Sequence, residues 1–74
     1  MPTKQKSKIR QELGEKLLLA REKAKLTQAE VAEKAEIHVN YFARLERGEV
    51  NPSYEVLVRI IKALKIQSTD IFPC

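Results

Sequence analysis

Few groups in this chain can do chemistry. It has one histidine, His38, and one cysteine, Cys74, so it can build neither a Cys/His zinc site nor an intrachain disulfide. Gly14 and Gly48 are its two glycines, too few for a phosphate-cradling loop. The carboxylates are scattered along solvent faces, and no catalytic constellation or cofactor motif results. What remains is a short segment, Gln28 to Arg47, in which Asn40 and Arg44 punctuate a regular apolar pattern. Amide and guanidinium groups present paired hydrogen bonds, the chemistry of recognition rather than of reaction.

Those side chains need elements to position them. The apolar spacing is helical nearly everywhere, and nothing reads as a strand. Leu13, Leu17, Ala20 and Ala24 form one face of a helix from about Ile9 to Ala24, with Leu18 and Leu19 pointing away from it. Thr27 and Glu30 make a capping box for a second helix, Gln28 to about Ala35, whose inner side carries Val31, Ala32 and Ala35. His38 can cap a third helix with Phe42 and Leu45 as its apolar edge and Gly48 as its stop. Pro52 holds Asn51 extended, and Ser53 caps a fourth helix bearing Leu57, Ile60, Ile61 and Leu64. A last turn, Thr69 to Phe72, capped by Ser68 and closed by Pro73, brings the expected count to five.

Within this frame, Ala32 lets the third helix cross close to the second, and Ile37 pins the turn between them. Burying Phe42 and Leu45 leaves Val39, Asn40, Ala43 and Arg44 facing outward. That is a helix-turn-helix arrangement.

The 74 residues suffice for one small core. Apolar runs such as Leu17-Leu18-Leu19-Ala20 are too short to span a membrane, and no hydrophobic stretch follows the basic N-terminus as in a secretory leader. A soluble cytoplasmic protein is expected. The formal charge of +4 is unevenly placed. Residues 1–10 carry Lys4, Lys6, Lys8 and Arg10 and no acid; removing those four from the 14 basic residues leaves ten against ten acidic ones. The surplus therefore belongs to a basic arm, read as flexible over 1–10, ahead of a formally neutral domain over 11–74. Such an arm is a solvated tail by default, and lies in the minor groove of DNA in some folds.

From about Leu13 to Phe72 the chain resembles the helix-turn-helix proteins of the Cro and phage-repressor type, also called the xenobiotic-response-element family. The strings that carry the resemblance are LTQAEVAEKAEI, LERGEVNPS and LVRIIKALKI. The resemblance implies a compact, all-α, five-helix, lambda-repressor-like domain, with Val39–Glu46 entering the major groove. Val39, Asn40, Ala43 and Arg44 then occupy base-contacting positions. Asn can pair with adenine, Arg with guanine O6 and N7, and Val can pack on a thymine methyl. Gln28, Tyr41, Asn51 and Ser53 match phosphate-contacting positions, and Arg21 and Glu46 match an ion pair tying the first helix to the third. Two turns depart from the family pattern: Glu36 and Lys25 stand where glycine is usual, at positions that tend to need positive φ.

The implied function is a sequence-specific, double-stranded-DNA-binding transcriptional regulator, a repressor or controller. It would act as a homodimer on a palindromic operator whose half-sites lie roughly 34 Å apart. Val58, Ile66, Ile71 and Phe72 are the expected dimer surface, and no part of the chain is left for a ligand-sensing domain. Plainer readings stand beside these: Arg44 and Asn40 as solvated surface, Val39 as a helix edge, Tyr41 as core packing, His38 as a cap, Cys74 as an ordinary terminal residue. The rival function is a protein-interaction module, such as the antitoxin of a toxin–antitoxin pair, with Leu18 and Leu19 as its surface and a second protein as its partner. RNA is the weaker option, because there is no aromatic platform for unstacked bases.

Overall fold

The computed structural model describes the backbone of residues 2–65 and the side chains of residues 8–65. Four helices lie among the described residues: α1 (Pro2–Lys23), α2 (Gln28–Ala35), α3 (Val39–Glu46) and α4 (Tyr54–Leu64). The turn expected over Thr69–Phe72 lies outside them. Helix α1 starts at Pro2 rather than near Ile9, so residues 2–10 continue the helix where a flexible arm is expected. Proline suits a first helical turn, where its missing N–H has no intrahelical partner to lose. The Lys, Gln and Arg that follow are good helix formers, with no breaker among them.

Each later helix is bounded by the side chain expected to bound it. The Thr27 hydroxyl accepts from the Glu30 N–H at 3.1 Å, and the Thr27 N–H donates to Glu30 Oε1 at 2.8 Å. His38 Nδ1 accepts from the Asn40 N–H at 3.1 Å, which requires the ring N–H to sit on Nε2. Ser53 Oγ accepts from the Val56 N–H at 3.2 Å.

The C-terminal ends of α1, α2 and α3 close alike. A residue in the left-handed region turns the chain while paired N–H groups reach back to the last carbonyls. The pairs are Lys25 to Glu22 and Leu26 to Arg21 after α1, Glu36 to Glu33 and Ile37 to Ala32 after α2, and Gly48 to Leu45 and Glu49 to Arg44 after α3. Helix α4 ends on a fourth left-handed residue, Lys65. Only Gly48, at φ 76°, is the residue type such a turn favours; Lys25 (60°), Glu36 (59°) and Lys65 (57°) carry a Cβ there. Glu36 is exposed, so Glu36→Gly should remove strain without losing a contact. The expected gain is about 1 kcal/mol, a rise in Tm of roughly 4–8 °C by thermal denaturation. An unchanged or lower Tm would show that no strain is stored there.

The core is one cluster. Leu13 and Leu17 of α1, Val31, Ala32 and Ala35 of α2, Phe42 and Leu45 of α3, and Leu57, Ile60 and Leu64 of α4 are all buried. Fully burying each large side chain contributes about 1.5–3 kcal/mol, and Phe42, wholly inaccessible in the core, is the largest of them. Two details differ from the amphipathic pattern. The buried face of α1 ends at half-buried Ala20, and Ala24 is exposed, because it lies past the end of α1 in the Lys25 turn. Ile61 of α4 is half-buried at the margin of the cluster.

Helix α1 crosses α3 at Gly14. A Cβ built there would lie 2.4 Å from the Glu46 carbonyl oxygen and 2.6 Å from that of Leu45. Only a glycine lets the two backbones come this close. The contact sets the position of the C-terminal end of α3 against the rest of the domain.

Candidate functional site

Helix α3 buries Phe42 and Leu45 and turns the opposite side outward. On that side Val39 is 37% exposed, Asn40 and Arg44 are exposed, and Ala43 is half-buried. The helical period places Asn40, Ala43, Arg44 and Arg47 in one row, at offsets of three, four and seven. The row offers an amide, a small apolar side chain and two guanidinium groups. Tyr41 is half-buried beside it.

The inner end of α3 is anchored by Glu46, whose side chain is only 4% exposed. Its Oε2 accepts from Arg21 Nε at 2.7 Å, and its Oε1 accepts from Arg21 Nη2 at 3.3 Å. The Arg21 fork therefore engages both carboxylate oxygens, while Arg21 Nη1 donates to the Leu26 carbonyl at 3.0 Å. Gln28 Nε2 donates to Glu46 Oε1 at 2.7 Å. One carboxylate thus ties α1, the start of α2 and the end of α3 together. No buried side-chain nitrogen or oxygen among the described residues lacks a partner. Gln28 is committed on one amide proton, and it keeps its second one together with the outward-pointing N–H groups of the first turn of α2.

Beyond α3, Asn51 and Ser53 are exposed in the loop leading to α4. The Ser53 hydroxyl is occupied as an acceptor by its own helix and retains its proton for donation. Val58 is half-buried on α4, while Ile66, Ile71 and Phe72 lie outside the described residues, as does Cys74. Leu19 is 61% exposed and Leu18 half-buried. Among the described residues no cluster of His, Cys, Asp or Glu could hold a metal, and no helix is long and apolar enough to cross a membrane.

Three further residues of this region were given no role by the sequence. Arg47 was legible in principle, because it lies seven positions after Asn40. Tyr54, 79% exposed at the start of α4, was legible only as a helix residue. Glu49 was not legible, because its role depends on how the chain turns at Gly48. Its Oε2 accepts from Arg47 Nε at 2.8 Å, its Oε1 accepts from Arg47 Nη2 at 3.3 Å, and Arg44 Nε lies 3.5 Å from Oε1. The Arg47 hydrogen bond, helped by the charge of both arginines, holds the Glu49 carboxyl below its ordinary range.

Residues 12–70 match the family described as Helix-turn-helix domain. An immunity repressor protein of Bacillus phage phi105 is 39% identical over 59 residues; the match covers 80% of this chain, which spans 41% of that protein's length. Among solved structures, the restriction-modification controller protein C.AhdI from Aeromonas hydrophila superposes with a TM-score of 0.83 at 25% identity, covering 85% of this chain and 96% of the other. The clp gene regulator ClgR from Corynebacterium glutamicum superposes with the same TM-score at 32% identity, covering 85% and 81%.

Proposed function

The chain belongs to the helix-turn-helix domain family, and from that premise we propose that it is a transcriptional regulator that reads a palindromic DNA operator as a homodimer. The relatives it resembles are a phage immunity repressor and two regulators, so the DNA-binding class follows from the family, which is not an enzymatic one. The observation that carries the reading for this chain is the outer row of α3. Asn40 and Arg44 are exposed there while Phe42 and Leu45 anchor the helix from behind. Val39 and Ala43 are the apolar members of the same surface, suited to thymine methyl groups.

Phosphate contacts position such a helix without reading sequence. Gln28 and the first turn of α2 supply one, Asn51, Ser53 and the first turn of α4 another, and Tyr41 of α3 a third. Each helix N-terminus presents free N–H groups and a positive dipole end to an anion. The basic segment at residues 1–10 adds affinity and salt sensitivity with little sequence information. Val58 with Ile66, Ile71 and Phe72 forms the dimer surface in this reading, and the cytoplasm is where such a regulator would work.

Selection of bound sequences from random duplex DNA, at two salt concentrations, tests the proposal. A palindromic motif is expected, and the palindrome itself reports the dimer. Arg44→Ala should cost about 1–3 kcal/mol on the selected site and relax the preference at one position per half-site. Binding with steep salt dependence and no preferred sequence would defeat the specific-regulator reading. That outcome would favour a protein-interaction module, such as an antitoxin with a second protein as partner, for which exposed Leu19 is the supporting feature.

A further inference from the structure

An acid has no obvious place beside a row of groups meant to meet DNA. Arg44 and Arg47 are more than half exposed, at 55% and 58% of their side chains, and both turn to the same carboxylate, Glu49. The backbone that carries this carboxylate is held in place. The Glu49 N–H donates to the Arg44 carbonyl at 2.9 Å and completes the closure of α3. The preceding residue, Gly48, is at φ 76° with its Cα side packed on Gln11 of α1, where even a Cβ would come within 2.9 Å. The closure fixes the Glu49 backbone beside the end of α3, and from there its side chain reaches both guanidinium groups.

We propose that Glu49 determines specificity: it holds the two guanidinium groups so that indiscriminate phosphate contact is penalised and a base edge is preferred. The inference rests on reading Arg44 as base-contacting. A phosphate approaching Arg44 or Arg47 must displace a carboxylate already in place, and then sits beside that negative charge. A guanine edge is neutral and presents its two acceptors in the plane of one guanidinium fork. Arg44, held only at 3.5 Å, can turn to such an edge while Arg47, held bidentately, stays on Glu49. The two arginines then carry different duties although they share a face. The same carboxylate cancels cationic charge that would otherwise add to sequence-independent affinity.

The test compares wild-type protein and Glu49→Gln on two probes, a duplex obtained by selection with the wild type and a random-sequence duplex of equal length. Glutamine keeps the size and the backbone closure and removes the charge. Affinity for the random duplex should rise about fivefold at low salt, and the slope of log affinity against log salt should steepen by about one, the effect of one further phosphate contact. The selected duplex should gain less, so the ratio between the two probes falls. In an Arg44→Ala, Arg47→Ala background the same change should leave that ratio unmoved. An equal gain on both probes, or no change in salt slope with thermal stability intact, would overturn the role of Glu49 while leaving the regulator reading in place. Failure of the wild type to select any duplex would overturn that reading instead.

Discussion

Gly14→Ala is expected to lower stability by about 3 kcal/mol, at the upper end for overpacking, and the sign of the effect is the informative part. In a helix interior, glycine to alanine is ordinarily favourable by about 1 kcal/mol, because alanine gives up less backbone entropy. Judged from local sequence alone, the substitution should stabilise α1. The added methyl, however, meets two backbone carbonyl oxygens, of Glu46 and Leu45, at 2.4 and 2.6 Å. Neither can turn aside as a flexible side chain would, since both belong to α3. The helices must separate, which loosens the core to which α1 contributes Leu17 and α3 contributes Phe42 and Leu45. For a domain of this size the loss corresponds to a fall in Tm of roughly 12–24 °C. DNA binding should suffer as well, because the same crossing fixes the end of α3. A Tm that rises would show that the helices do not cross this closely.

Glu46→Ala should cost about 3–5 kcal/mol, because it strands the Arg21 guanidinium at a site where only 15% of that side chain is exposed. Gln28 loses its acceptor in the same step. Such a figure would not measure what the ion pair contributes. Desolvation of the two charges offsets much of their attraction, so replacing both together, Arg21→Met with Glu46→Leu, should recover most of the loss. A double variant no better than the single would mean the pair is a net source of stability. The two variants also separate structure from function. If the double variant folds but binds selected DNA weakly, Glu46 is needed to present Gln28 and the end of α3, beyond holding the fold.

Helix boundaries were legible because their causes are local. Thr27, His38 and Ser53 each cap the helix that follows, and Gly48 turns the chain after α3, using hydrogen bonds that span two to five residues. Positive φ at Lys25 and Glu36 was likewise expected, because the family pattern has glycine at both positions, against the preference of their own side chains. The start of α1 was not, because a run of helix-favouring cations reads equally as a solvated arm. Ala24 misled for a related reason: a period of 3.6 continues on paper past the point where Lys25 turns the chain.

The outward row of α3 could be read from the sequence, since burying Phe42 and Leu45 leaves Asn40, Ala43 and Arg44 only one direction to face. Periodicity along one helix is a property of that helix alone, which is why composition and spacing sufficed. The sequence by itself thus determined the helical class, the caps and the outward face of α3. Tertiary structure decided how those pieces constrain one another. Gly14 reads as a weak spot in α1 until α3 is laid across it, and Gln28 reads as a free amide until Glu46 reaches it from a distant helix. Glu49 reads as a loop acid until the turn at Gly48 folds it back onto Arg47 and Arg44. Each of these depends on atoms brought together by the close packing of separate helices, and no local rule carries that distance.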